Sequence, residues 1–168
     1  MVLTLYLIRH AKSSWKDESL DDRERPLAKR GKREVKAVAR HLRQQGVQLD
    51  AVLSSPAKRA RATCRKVCKA VGFDRRNVAV KKSLYFEGKK RVLRNVQRLQ
   101  PECRTAAVFG HNPDWTDCVL ACRDRPPDFA ELPTCGVAVI QFACDSWSEA
   151  SWSNASCISV LTPKDIEF

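Results

Sequence analysis

Apolar positions along the chain fall into two rhythms, short dense runs and helical stripes, and their alternation sets the expected architecture. Val2, Leu3, Leu5, Leu7 and Ile8 make a dense run that stops at Arg9-His10, as expected for a central parallel strand covered on both faces. A polar loop from Lys12 to Arg25 follows, ending in Arg25-Pro26-Leu27. Val35, Val38, Ala39 and Leu42 then recur at i, i+3, i+4 and i+7, which predicts a helix stopped by Gly46. Asp50-Ala-Val-Leu53 reads as a second strand that breaks at Ser54-Ser55-Pro56. Pro56 suits the first turn of a new helix whose stripe is Ala60, Cys64, Val67, Cys68 and Val71, up to Gly72. Val78-Ala-Val80 is a weaker strand signal, Leu84-Tyr85-Phe86-Glu87-Gly88 a loop, and Val92, Val96 and Leu99 a helix running to Pro101. Thr105-Ala-Ala-Val-Phe109 is a further buried strand, ended by Gly110-His111-Asn112-Pro113. A helix through Cys118, Val119 and Cys122 follows and is closed by Arg125-Pro-Pro127. The tail predicts two strands, Gly136 to Phe142 and Cys157 to Leu161, joined by a Ser-rich turn.

Strands alternating with helices predict an α/β fold, a three-layer α/β/α sandwich with a mostly parallel central sheet and an antiparallel edge strand. At 168 residues and 43% hydrophobic, one domain over residues 1–168 is expected. Lysine and arginine total 31 against 19 acids, a net charge of +12, so the surface attracts anions: nucleic acid, anionic lipid, acidic protein or phosphorylated substrate. Lys29, Arg30, Lys32, Arg33, Lys36, Arg40 and Arg43 populate the first helix as a solvated face, with docking of an acidic partner protein as the functional alternative.

Eight cysteines lack any C-x2-C spacing, which argues against a zinc ribbon. Cys64/Cys68 and Cys118/Cys122, each four apart at otherwise apolar positions, read as small core hydrophobes. The N-terminal run has neither a basic lead nor a small-residue cleavage site, and no apolar stretch approaches the roughly 20 residues that span a bilayer. A cytoplasmic, reducing setting with free thiols and no membrane association is the expectation.

Three strand ends carry related chemistry. Arg9-His10 follows the first, Ser54-Ser55-Pro56 with Arg59 the second, and Gly110-His111-Asn112-Pro113 the fourth. Parallel strands place all three at one sheet edge, where open α/β sheets bind ligands. Two arginines and two histidines there suit a phosphoryl group, because guanidinium offers forked, charge-assisted hydrogen bonds to its oxygens. A neutral imidazole is also a competent nucleophile near neutral pH.

These residues resemble the histidine phosphatase (phosphoglycerate mutase-like) superfamily, and within it the small phosphohistidine phosphatase, SixA-like, branch. Leu-Ile-Arg9-His10-Ala-Lys is similar to the family's Arg-His-Gly signature, and Arg25-Pro26-Leu27 with Gly31 to the opening of its first helix. Ser54-Ser55-Pro56 through Arg59 is similar to its second-arginine motif, Gly110-His111-Asn112-Pro113 to its second-histidine motif, and Pro133-Thr134-Cys135-Gly136 to the branch's C-terminal segment. The resemblance implies a phosphatase with His10 as phosphoryl acceptor, Arg9, Arg59 and His111 binding the oxygens, and neither cofactor nor metal. It implies as substrate a phosphorylated protein, with a phosphohistidine domain favoured, or a small phosphorylated metabolite.

Ala11 departs from the signature's glycine and gives up its backbone freedom. The general acid is unassigned: Glu87 is the first candidate, with Asp17, Asp21 and Asp22 behind it, and an imidazole leaving group needs acid help less than an alkoxide does. Lys12 is a candidate substrate contact and Trp15 a candidate for the pocket mouth. Trp147 and Trp152 are read as packing or edge protection. Competing readings are a phosphomutase of the same superfamily and a basic module that binds nucleic acid or acidic protein. The chain is short for the former and carries no nucleic-acid-binding signature for the latter.

Overall fold

In the computed structural model, which describes residues 2–166, the dense apolar runs become neighbouring strands of one mixed sheet. Its strands are β1 (Leu3–Arg9), β2 (Ala51–Ser54), β3 (Ala79–Val80), β4 (Thr105–Gly110), β5 (Val137–Phe142) and β6 (Ala155–Leu161), in the order β3-β2-β4-β1-β5-β6. β3, β2, β4 and β1 pair in parallel, whereas β5 runs antiparallel to both β1 and β6. The helices are α1 (Lys29–Gln44), α2 (Lys58–Val71), α3 (Lys89–Gln97) and α4 (Asp114–Ala121).

The sheet is a middle layer because its central strands bury side chains on both faces. Leu5 and Leu7 of β1 and Val108 of β4 pack with Val92 and Val96 of α3 and Trp115 and Val119 of α4. Ile8 and Phe109, one residue out of phase, pack on the other face with Val35 and Val38 of α1 and Cys64 and Val67 of α2. The chain after β1 therefore leaves toward α1 on one face, and the chain after the adjacent β4 toward α4 on the other. That reversal opens a crevice at the carboxyl ends of β1 and β4, the usual ligand position in such sheets.

The boundaries differ from the sequence reading where tertiary contacts intervene. Val2 precedes β1 and is exposed. Pro56 lies outside α2, because Ser55 still donates its N–H to the Phe109 carbonyl beside β4 and Ser55 Oγ accepts the Ala57 N–H. Leu99 falls past the end of α3, and the Ser-rich turn before β6 holds two short 3-10 turns, capped by Ser146 and Ser151. Trp147 is buried there and donates Nε1–H to the Cys103 carbonyl at 2.7 Å, and Trp152 packs partly buried on the same core. All eight cysteines are free and all but Cys144 are buried. Among the described residues, no helix is long and apolar enough to cross a membrane.

Gly31 of α1 is a contact that the site depends on. The first turn of α1 docks on the loop after His10, with Ala28 N–H donating to the Lys12 carbonyl at 2.9 Å and Ser14 N–H to the Pro26 carbonyl at 2.8 Å. A Cβ at Gly31 would collide with that same Lys12 carbonyl oxygen, a backbone atom that cannot swing aside. Gly31→Ala is expected to lower unfolding free energy by about 1–3 kcal/mol in urea denaturation, as overpacking does. An unchanged midpoint would contradict this packing.

Candidate active site

His10 leaves the end of β1 with its backbone still held on both sides. Its N–H donates to the Gly110 carbonyl at 3.0 Å, and its own carbonyl accepts the Cys135 N–H at 3.0 Å. The side chain is oriented as tightly. Nδ1 lies 2.7 Å from the Ala11 carbonyl, which can only accept, so Nδ1 carries the proton and Nε2 the lone pair. Arg59 Nε–H, 3.3 Å away, is aimed at that lone pair. Burial, and then the positive charges of Arg59, Arg9 and Arg25, bring the His10 pKa down to about 4, although the Ala11 carbonyl favours the protonated ring. The imidazole is therefore neutral near pH 7.

Arg59 comes from the first turn of α2 and is 2% exposed. Nη1 donates to the Asp22 carbonyl at 2.6 Å, and Nη2 to Asp22 Oδ2 at 2.9 Å and His111 Nδ1 at 3.4 Å. Because a guanidinium only donates, His111 Nδ1 accepts and its proton sits on Nε2, which donates to Ser55 Oγ at 2.7 Å. Burial and then the neighbouring His10 and Arg59 lower the His111 pKa to about 2, against the Asp22 charge. The two imidazole rings lie 5.1 Å apart. Arg9 donates Nη1–H to the Leu132 carbonyl at 2.9 Å, while its buried Nε–H has no hydrogen-bond partner among the described residues.

Thr63 couples the loop after His10 to α2. Its Oγ1 accepts the Ala11 N–H at 3.0 Å and donates to the Arg59 carbonyl at 2.8 Å. Among the described residues, positive φ angles occur at Phe86, Cys135 and three glycines, so Ala11 does without the backbone freedom of the glycine it replaces.

Of the four acid candidates, the structure brings only Asp22 among these groups. Burial would raise its pKa, but hydrogen bonds from Tyr85, Arg59 and Arg25 hold it down at about 2, so it stands as a carboxylate with no proton to give. Glu87 is half-exposed and faces Arg91 of α3 at 3.9 Å. Asp17 is exposed and bonded to Ser19, and Asp21 and Lys12 are exposed. Trp15 is exposed too, its ring covered by the Arg25 guanidinium at 3.2 Å.

Several residues at the site are given no site role by the sequence, although it places Arg25 in a helix-opening motif and Tyr85 and Phe86 in a loop. Arg25 is buried and clamps the loop through Ser13 Oγ, the Ser14 carbonyl and Asp22. Tyr85 and Phe86 pack their rings on His111, with centroids 5.3 and 4.6 Å away. Asp114, buried at the start of α4, accepts the Gly88 N–H at 2.9 Å and so anchors the loop that carries them. The one signal for that loop was its Leu84-Tyr85-Phe86-Glu87-Gly88 composition, which marks a turn and not a ring contact. Among the described residues, no three His, Cys, Asp or Glu side chains are grouped to hold a metal ion.

Comparison with known proteins places the sequence and the fold among relatives. Residues 5–84, which carry most of the first strand, His10 and Arg59, match the histidine phosphatase superfamily (branch 1). An uncharacterized chloroplastic protein of Arabidopsis thaliana is 34% identical over 154 residues, covering 87% of this chain and 69% of its own length. An uncharacterized protein of Mycobacterium tuberculosis is 30% identical over 169 residues, covering 94% of this chain and 100% of the relative. Among solved structures, a SixA protein of Agrobacterium tumefaciens, named as a candidate phosphohistidine phosphatase, superposes with a TM-score of 0.79 at 25% identity, covering 96% of this chain and 98% of that one. The protein histidine phosphatase SixA complexed with tungstate shares the fold, with a TM-score of 0.81 at 22% identity over 97% of this chain and 99% of that one.

The imidazole environments give a signed pH prediction. In the unfolded chain both histidines protonate near the ordinary value of about 6.5, whereas folded His10 stays neutral down to about 4 and His111 to about 2. The unfolded state thus binds more protons below about 6.5, and stability falls as pH drops through that window. NMR titration of the His10 ring is expected to be flat from pH 8 to about 5, with its midpoint lower, near 4. A midpoint near 6.5 contradicts the site as described.

Proposed function

The chain belongs to the histidine phosphatase superfamily, in its SixA-like branch, and on that footing we propose that it is a metal-independent phosphatase acting through a covalent phosphohistidine on His10. The favoured substrate is phosphohistidine on a protein, with a small phosphoester as the broader class. The observation that carries this reading is the fixed tautomer of His10: Nδ1–H is tied to the Ala11 carbonyl, which leaves the lone pair on Nε2, where the long 3.3 Å contact from Arg59 Nε–H gives way to an incoming phosphoryl group.

In the first step, the Nε2 lone pair forms a bond to phosphorus while the bond from phosphorus to the leaving nitrogen or oxygen breaks, its electron pair departing with the leaving group. His10 becomes a phosphoimidazolium whose Nδ1–H is stabilised by the Ala11 carbonyl. The charge on the transferring oxygens is met by Arg9, whose Nε–H is unspent, and by Arg59. His111 is neutral, with its Nε2–H held by Ser55 Oγ and its Nδ1 facing the Arg59 guanidinium, so it orients Arg59 and adds no charge; binding a phosphoryl oxygen directly would require the ring to give up the Ser55 bond. Water then attacks phosphorus, the P–Nε2 bond breaks and returns its pair to His10, and the water proton stays with the released phosphate.

The ionised Asp22 favours a phosphoramidate over an alkyl ester. An imidazole protonated on its other nitrogen leaves as a neutral molecule, whereas an alkoxide needs a proton that Asp22 does not hold. The exposed lysines and arginines of α1 suit docking of an acidic phosphorylated protein, and eight free thiols fit a reducing, cytoplasmic setting.

His10→Ala is expected to lose at least about a thousandfold in kcat/KM toward a histidine-phosphorylated protein domain, in line with removal of a nucleophile. Excess chelator is expected to leave the wild-type rate unchanged. Full activity in the variant, or loss of activity in chelator, overturns the mechanism.

A further inference from the structure

Phe86 combines three features that structural packing does not explain. Its backbone is in the left-handed region, with φ 60°, which a bulky residue rarely adopts. The residue is 46% exposed and belongs to neither core cluster. Its ring nevertheless lies against His111, centroids 4.6 Å apart and planes inclined by 36°, while His111 lies against His10.

The loop is built to hold this conformation. On one side Tyr85 Oη donates to Asp22, the carboxylate that also grips Arg59. On the other, Gly88 at φ 90° donates its N–H to the buried Asp114. The two ends of a five-residue segment, Leu84 to Gly88, are thus tied to the Arg59 network and to the helix after His111, and the strained residue between them presents an aromatic ring at the mouth. Glu87, next in line, is turned away to Arg91.

We propose that Phe86 determines specificity by offering its exposed face to a planar aromatic leaving group, so that the site selects an imidazole-type phosphoramidate over an alkyl phosphate. This deepens the phosphohistidine reading above and rests on it. In an in-line displacement the leaving group stands on the side of phosphorus opposite Nε2, toward the open mouth, where an imidazole has a π-face to stack and a serine or glycerol oxygen has none.

The test compares kcat/KM for phosphoimidazole, p-nitrophenyl phosphate and glycerol 2-phosphate in the wild type and in Phe86→Ala, Phe86→Leu and Phe86→Trp. Intrinsic leaving-group reactivity cancels in the variant-to-wild-type comparison. Both Phe86→Ala and Phe86→Leu are expected to lower the planar-to-alkyl ratio roughly fivefold, the scale of one aromatic contact, and Phe86→Trp to retain it. Because Phe86→Leu keeps apolar bulk, it separates the ring face from simple filling. A ratio unchanged in Phe86→Ala and Phe86→Leu, with all three substrates falling together, overturns the proposal in favour of a structural role. A wild type inert toward phosphoimidazole, whose aryl-to-alkyl ratio still drops in Phe86→Leu, upholds the platform and overturns the phosphohistidine reading instead.

Discussion

The hydrogen bond from His10 Nδ1 to the Ala11 carbonyl decides which nitrogen carries a lone pair, and the other contacts of the site are arranged around that choice. Arg59 Nε–H can point at Nε2 only because Nε2 is bare, and three nearby arginines add to the burial that keeps the ring neutral. His111 takes the opposite tautomer for the same reason, since its Nδ1 faces a guanidinium and its Nε2 faces Ser55. A protonated His10 would lose its Nε2 lone pair and set a cation among Arg9, Arg25 and Arg59, so the surrounding positive charge enforces the neutral form.

The scaffold supplies this geometry through strand order. β2, β4 and β1 are neighbours, and their carboxyl ends deliver Ser55, His111 and His10 side by side, with Arg59 on the helix that follows β2. Thr63 bridges Ala11 and the Arg59 carbonyl, and α1 presses Gly31 on the Lys12 carbonyl, so the loop after His10 is fixed from two helices. Asp22, in the loop between β1 and α1, fixes Arg59 from a third side and is itself held by Arg25 of the same loop and by Tyr85 from the loop before α3. The Asp22 carboxylate is an anchor for a guanidinium, which accounts for its charged state inside the site.

Much of this was legible in the sequence. Continuous apolar runs ending in Arg9-His10 and Gly110-His111 mark buried strands whose polar ends share an edge, and the parallel pairing of β1 and β4 follows from their burial on both faces. Arg59 was legible because it lies one turn into a helix that starts at a strand end. What sequence did not reveal depends on distant partners. The ionisation of Asp22 is set by Tyr85, 63 residues away, and by Arg59, 37 residues away, so a list of loop carboxylates could not sort it from Glu87. The left-handed backbone of Phe86 leaves no mark in a stretch whose neighbouring Gly88 already accounts for a turn, and Pro56 misleads because Ser55 continues the pairing with β4 before α2 begins.

The central claim is that His10 accepts the phosphoryl group on Nε2 and no other atom. Quenching the enzyme in alkali during turnover, where phosphoramidates survive, and mapping the modified peptide by mass spectrometry and phosphorus NMR tests it most directly. A phosphoryl group on His10 in the Nε2-linked isomer is the predicted result. The Nδ1-linked isomer, a label on another residue, or turnover without any phosphoenzyme would contradict it.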